Sequence, residues 1–127
     1  MFPAINGWTK EKMKARINEG MLDHKSKKPY RNGSSYFCAY RGADGNACAA
    51  GVFIPDGDYE EWMDDQDTKG GTGIDSILKT KPFLANSLPI ELHGMKNLQE
   101  CHDQTEDNSD PRSKLCLWID LNVDDPS

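Results

Sequence analysis

Apolar side chains recur at helical spacing near the start of the chain. Met13, Ile17 and Met21 lie four positions apart, and Thr9 precedes them with a hydroxyl that can accept a hydrogen bond from the first helical turn. We therefore expect a helix over residues 9–24. The following segment, 25–35, is polar and basic and contains proline and glycine, so it predicts a loop.

The longest helical pattern covers residues 87–102, with Ser87 as its cap. Its apolar positions form one seam that reaches the last turn, at Leu88, Leu92, Met95, Leu98, Cys101 and His102. This seam predicts that His102 faces the protein interior. Shorter helices are expected around 59–65, with Asp58 as the cap, and at 74–79, separated by a glycine-rich break.

A strand is predicted over residues 35–41, which alternate and are rich in aromatic side chains, leading into a turn at Asp44 and Gly45. After the turn, the chain either returns as the second strand of a hairpin or starts a short helix capped by Asn46 and ended before Pro55. In a hairpin, a two-residue turn puts Cys38 and Cys48 on opposite sheet faces, whereas a three-residue turn puts them on the same face. Both alternatives and both registers stay open.

The end of the chain also permits two interpretations. Asp110 followed by Pro111 predicts the start of a last helix, but residues 115–123 alternate between apolar and other side chains, as a strand would. The expected fold is α+β: a mainly helical single domain over residues 1–127 with a small β-hairpin or strand-turn-helix core. Acidic segments near 64–73, 103–110 and 123–127 are expected to be flexible.

Composition narrows the class of protein. No apolar run approaches the roughly 20 residues of a membrane-spanning helix, and residues 1–12 lack the basic and apolar regions of a secretory signal. We expect a cytoplasmic protein without membrane contact, with its four cysteines as thiols. The chain contains neither a phosphate-binding glycine loop ending in Lys-Ser/Thr nor a Gly-x-Ser-x-Gly elbow, which argues against those nucleotide and serine-hydrolase sites.

Charge is distributed unevenly along the chain. Residues 1–42 carry nine basic and three acidic residues, net +6, whereas residues 43–127 carry six and eighteen, net −12. Acidic runs of this kind keep a domain solvated, and they can also imitate a phosphate backbone toward a basic protein. The candidate partner-binding acids are Asp64, Asp65, Asp67, Glu106 and Asp107. They predict a host protein as partner, including one that itself binds nucleic acid, and they argue against direct nucleic-acid binding by this chain.

Three arrangements of chemically active side chains compete with a structural interpretation. Cys38, Cys48, Cys101 and His102 are donors suited to zinc, but their spacing differs from the close pairs of structural zinc sites, and neighbours on a helix point about 100° apart. A thiol nucleophile with His102 as base is a second possibility. The His102-Asp103 pair is a third, as in metal-dependent phosphohydrolases. Buried structural thiols without a cofactor are the favoured interpretation.

A motif spanning residues 36–103 resembles one found in small uncharacterised proteins of bacteria and tailed phages. The matching positions are Cys38, Tyr40, Arg41, Gly45, Cys48, Ala49, Gly51, Ile54, Pro55, Asp56, Tyr59, His102 and Asp103. Cys101 stands where an aliphatic residue is expected. The resemblance implies a domain type and a phage or phage-like origin, and it carries no activity with it.

Within this motif, each side chain has a structural interpretation. Asp44 and Gly45 form a turn that needs a positive φ, and Tyr40 and Tyr59 pack over the small residues that follow. Arg41 requires a carboxylate or carbonyl partner, for which Asp56 or Asp103 is expected. A pairing of Arg41 with Asp103 in a cleft would instead mark a binding site. The sequence therefore favours a non-enzymatic protein that binds and modulates a host protein through an acidic surface. The alternative is a metal-binding protein or small hydrolase using the Cys/His/Asp cluster, and the oligomeric state stays open.

Overall fold

The computed structural model describes residues 1–29, 36–42, 44–64, 73–106 and 109–126. Over these ranges the protein is mainly helical, as expected, with short strands at its edges. Within them, no helix combines the length and the apolar character that crossing a membrane requires.

The chain begins with the short strand β1, Phe2–Pro3, followed by helix α1, Lys10–Gly20. Thr9 is the N-cap, and its hydroxyl accepts a hydrogen bond from the Lys12 backbone N–H at 3.2 Å. The helix ends four residues earlier than predicted, because Met21 is extended, with φ −116° and ψ 143°. Met21 is nevertheless buried, so the apolar periodicity continued past the helix end.

The basic segment predicted as a loop contains a strand. Strand β2, Lys27–Pro29, pairs antiparallel with β3, Tyr36–Cys38, in the register Lys27 opposite Cys38. The loop prediction is therefore wrong for 27–29, where strand pairing outweighs the polar composition. Residues 30–35 lie outside the described part.

The hairpin expected around Asp44 and Gly45 is not confirmed. Strand β3 ends at Cys38, and a single isolated bridge joins Arg41 to Ala47 across the turn. This bridge has the register of a three-residue turn. The chain then enters the 3-10 helix Gly51–Phe53 instead of returning as a strand.

The middle of the chain is made of short helices. The 3-10 helices Asp56–Asp58 and Glu61–Asp64 replace the α-helix predicted around 59–65. Helix α2, Ile74–Thr80, confirms the helix expected at 74–79, and the 3-10 helix Pro82–Ser87 follows it.

Helix α3, Leu92–Asp103, starts five residues later than predicted, and Ser87 is not its cap. Pro89 explains the difference, because proline disfavours helical backbone in the preceding residue, and Leu88 is extended with ψ 141°. Glu91 takes the N-cap position. The buried seam persists through Met95, Leu98 and His102.

The alternative at the end of the chain resolves as a helix. Helix α4, Arg112–Asn122, buries Leu115 and Ile119, which are four positions apart, and exposes Leu117. Strand β4, Val123–Asp124, follows and pairs parallel with β1. Two residues of the acidic segment 123–127 are thus part of a sheet.

Two hydrophobic clusters fill the interior. The larger one joins α1, α3 and α4 to the buried segment Ala47–Phe53, and the smaller one consists of Ile54, Met63, Ile77 and Leu84. Tyr40 and Leu78 contact both clusters. The motif residues around Tyr40 therefore lie where the two halves of the core meet.

Candidate functional site

Asp64 organises the centre of the motif. Its carboxylate accepts hydrogen bonds from the backbone N–H groups of Tyr40, at 2.7 Å, and Arg41, at 3.2 Å. The Tyr59 hydroxyl donates a third hydrogen bond at 2.5 Å. Burial, together with this bond to Asp64, raises the pKa of Tyr59. Asp64 was a candidate surface acid, but it is half-buried and used inside the fold.

The Arg41 guanidinium is held by the segment that follows the turn. Its Nη1 donates to the Gly51 carbonyl at 2.5 Å, and its Nη2 donates to the Ile54 carbonyl at 2.6 Å. Nη2 also lies 2.9 Å from the Asp56 carboxylate, and the guanidinium carbon lies 5.7 Å from the centre of the Tyr59 ring. Arg41 is 17% exposed and Asp56 88% exposed. These contacts fasten one loop to another.

The cleft in which Arg41 would face Asp103 is not formed. The carboxylate that Arg41 contacts in the described ranges, besides the backbone bond to Asp64, belongs to Asp56. The Asp103 carboxylate lies instead against Gln99 and His102. Of the two partners expected for Arg41, the structure places Asp56 beside it.

Gly51 lets two backbone segments touch. A Cβ atom at this position would lie 2.2 Å from the Tyr40 carbonyl oxygen and 2.8 Å from the Tyr40 Cα. Contacts this short do not occur between real atoms, so any side chain at Gly51 would displace the backbone of Tyr40. The small residues of the motif thus serve close packing.

The Asp44-Gly45 turn has the expected backbone. Gly45 has a φ of +85°, and the Asp44 carboxylate accepts a hydrogen bond from the Asn46 N–H at 3.1 Å. His24 Nε2 lies 2.6 Å from the Asp44 carboxylate, and His24 Nδ1 lies 3.0 Å from that of Asp23. The hydrogen bonds to Asp23 and then to Asp44 raise the pKa of His24. The hydrogen bond with His24 lowers the pKa of Asp44.

Asn46 has a role that the sequence analysis missed. It is fully buried, and it caps no helix. Its Oδ1 accepts from the Leu22 N–H at 2.7 Å, and its Nδ2 donates to the His24 carbonyl at 2.5 Å. Asn46 therefore ties the chain after α1 to the turn. The Asp-Gly-Asn order signals a turn, but it does not reveal that the amide side chain points inward.

Cys48 is built as a core residue. It is 2% exposed, and burial raises the pKa of its thiol to about 12. Its sulfur accepts a hydrogen bond from the Gly51 N–H at 3.2 Å. A thiol with such a pKa is protonated at neutral pH and is a poor nucleophile or metal ligand. Burial also raises the pKa of the half-buried Cys101. The side chain of Cys38 lies outside the described part.

His102 and Asp103 connect the end of α3 to the small-residue segment. His102 is fully buried, and its Nδ1 lies 3.2 Å from the Asp103 carboxylate. Gln99 joins the two halves of the motif, since its Oε1 accepts from the Ala50 N–H at 2.8 Å and its Nε2 donates to Asp103 at 2.8 Å. The buried Lys25 donates to the Asp103 carbonyl at 2.7 Å. Gln99 was overlooked although it lies one turn before His102 on the same face.

The zinc hypothesis finds no geometric support. In the ranges that the structure describes, no three His, Cys, Asp or Glu side chains are grouped so that they could hold one metal ion. The Nε2 of His102 is buried and has no hydrogen-bond partner there. It therefore has no second donor group of the kind that a metal site would supply.

The exposed acids lie in the 3-10 segments and after α3. Asp56 and Glu61 are exposed, and so is Glu106. Glu60 pairs with Lys81 at 2.7 Å. The remaining candidate acids, Asp65, Asp67 and Asp107, lie outside the described residues. Comparison of the chain with models of known families, with curated proteins and with solved structures gives no match.

Proposed function

We propose that this chain is a non-enzymatic accessory protein, phage-encoded, that binds and modulates a host protein through an acidic surface in the host cytoplasm. The observation that carries the proposal is the net charge of −12 over residues 43–127, together with exposed acids that are not consumed by internal pairing. Net charge concentrated in this way steers association with an oppositely charged partner.

The structure sharpens which acids can serve. Asp64 is used internally, and Asp56 and Glu60 lie beside Arg41 and Lys81. No ion pair within the described ranges includes Glu61 or Glu106, and both are exposed. We therefore assign the surface to Glu61 and Glu106 together with Asp65, Asp67 and Asp107, and no longer to Asp64.

The partner expected for such a surface is a basic protein, including one whose own ligand is nucleic acid. Carboxylates spaced along a surface offer lysine and arginine side chains the charge that a phosphate backbone would offer. The same charge repels nucleic acid, so direct binding to it is not part of the proposal.

The alternative is a zinc protein or small hydrolase built on Cys38, Cys48, Cys101 and His102. Two observations weigh against it. The Cys48 thiol has its pKa raised to about 12 by burial, and the His102 ring is fully buried. A nucleophile and base in these positions would need solvent or substrate access, which neither side chain has.

The test is capture from bacterial lysate by the immobilised protein at low and at high salt, read by mass spectrometry. At about 0.1 M salt the Debye length is about 10 Å, and at about 1 M it is about 3 Å, so a partner held by surface charge is released at high salt. The test variant is Glu61→Gln with Glu106→Gln. Glu11→Gln with Glu19→Gln is the control, because it removes the same charge from exposed positions on α1.

We expect a stoichiometric partner that the wild type and the control variant capture and that the test variant captures several-fold less. Equal capture by the two double variants would refute the acidic surface. Near-equimolar zinc in the purified protein, measured on the same sample, would instead support the alternative.

A further inference from the structure

A cleft on the opposite, basic part of the chain is not used by the proposed function. It has a volume of about 270 Å³ and lies between α1 and the segment 52–55. Its lining consists of Trp8, Arg16, Val52, Phe53, Pro55 and Ser87. Two aromatic rings and one guanidinium thus meet at a single concave surface.

The aromatic walls are fixed in place. The Trp8 and Phe53 rings pack edge to face, with centroids 5.2 Å apart and planes at 82°. The Trp8 indole N–H donates to the Ser87 carbonyl at 3.2 Å, so its polar atom is satisfied. Phe53 is 3% exposed and anchored in the core. A ligand would therefore meet a preformed apolar surface rather than one it must order.

The guanidinium of Arg16 is oriented but only partly used. Its Nε donates to the Val52 carbonyl at 2.8 Å, which fixes the plane of the group. In the described ranges, no acceptor engages Nη1 or Nη2 and no carboxylate pairs with Arg16. None of the residues that line the cleft in these ranges is acidic. In a chain with 21 acidic residues, this arginine retains its two terminal nitrogens as donors.

A planar fork of two N–H donors next to aromatic walls has a defined complement. Carboxylates accept such a fork through two parallel hydrogen bonds. Aromatic rings pack edge to face or offset against Trp and Phe. The volume is larger than the roughly 150 Å³ that holds a benzene ring and just below the roughly 300 Å³ at which sites for drug-sized ligands begin. We propose that this cleft binds a small aromatic carboxylic acid, with the carboxylate on Arg16 and the ring against Trp8 and Phe53.

This proposal is independent of the acidic surface, because Arg16 and Trp8 belong to the net-positive part of the chain. Either proposal can fail without the other. The cleft is open to solvent at Pro55, which is exposed, so we expect weak affinity for a one-ring probe. NMR titration is suited to that range.

The experiment is a titration of the full chain with phenylacetate, monitored through the indole N–H signals of its three tryptophans. Trp8→Phe assigns the Trp8 signal, and the signals of Trp62 and Trp118 serve as internal references. We expect a saturable shift of the Trp8 signal with phenylacetate and at least tenfold weaker binding of phenylacetamide, which has the same ring without the charge.

The variant Arg16→Gln should weaken phenylacetate binding by about tenfold to a hundredfold, because it removes a charge-assisted pair of hydrogen bonds. Lys12→Gln, an equal charge change at an exposed position of the same helix, should leave binding unchanged within about twofold. Arg16→Lys keeps the charge without the fork and should fall between them, which guards against a folding defect in Arg16→Gln. No saturable Trp8 shift, equal binding of acid and amide, or equal effects of Arg16→Gln and Lys12→Gln would each overturn the proposal.

Discussion

Replacing Gly51 by alanine is the sharpest test of the motif as a packing device. The added Cβ would lie 2.2 Å from the Tyr40 carbonyl oxygen and within 3 Å of two further backbone atoms of that residue. These are main-chain atoms, so no side-chain rotation can relieve the contact. The backbone of Tyr40 has to move by about 1 Å to restore an ordinary carbon–oxygen distance.

That movement damages hydrogen bonds described above. The N–H groups of Tyr40 and Arg41 donate to the Asp64 carboxylate, and Arg41 Nη1 donates to the Gly51 carbonyl. Hydrogen bonds to charged groups contribute about 1.5–3 kcal/mol each, so losing one and weakening another costs about 4 kcal/mol. The reduced freedom of the unfolded chain returns about 0.4–1 kcal/mol. The net loss expected for Gly51→Ala is about 3 kcal/mol in the free energy of unfolding.

Gly57→Ala is the matched control. Gly57 is exposed, and a Cβ there meets no atom within 4 Å and requires no left-handed backbone. The unfolded-chain effect then acts alone, so we expect this variant to gain up to about 1 kcal/mol. Urea denaturation monitored by tryptophan fluorescence measures both variants. A Gly51→Ala protein as stable as the wild type, or less damaged than Gly57→Ala, would refute the close-packing argument.

Three further predictions concern individual side chains. Tyr59→Phe removes one hydrogen bond to Asp64 and should cost about 1–2 kcal/mol in urea denaturation; the same change should cost almost nothing once Asp64→Ala is present, and strict additivity would contradict the shared network. The pKa of His24 is raised above 6.5, first by its hydrogen bond to Asp23, so its stabilisation is present below that pH and is lost as the pH rises through the raised value; NMR titration should show the raised pKa, and a His24→Gln protein that keeps the same pH dependence of stability would refute the assignment. Cys48 should resist iodoacetamide at neutral pH in the native protein and react after unfolding, as mapped by peptide mass spectrometry; native labelling at the rate of a free thiol would contradict its burial.

Local chemistry accounts for the elements that were predicted from sequence. The cap at Thr9 and the four-residue spacing of Met13 and Ile17 are properties of a short segment, and α1 begins where they indicate. Helix α2 follows in the same way. The resolution of the last helix also has a local cause: Leu115 and Ile119 are buried at helical spacing, whereas the alternating pattern left Leu117 exposed.

The errors arise where distant segments decide. Strand β2 forms in a basic segment because β3 pairs with it, and the start of α3 moves because Pro89 extends the residue before it. For the site, sequence indicated which residue types matter but not their partners. Asp64 looked like a surface acid, and only the fold brings it to the N–H groups of Tyr40 and Arg41, more than twenty positions away.

The parallel pairing of β1 with β4 has a consequence for how the protein is made. Phe2 pairs with Val123, and the Ala4 N–H donates to the Asp124 carbonyl at 2.8 Å. These partners leave the ribosome about 120 residues apart, and contacts of such long range form slowly. Helix α1 also waits for α4 to cover Ile17, since the two helices belong to one cluster. The nascent chain therefore carries an exposed apolar helix face throughout its synthesis, and the fold closes only after translation has passed residue 124.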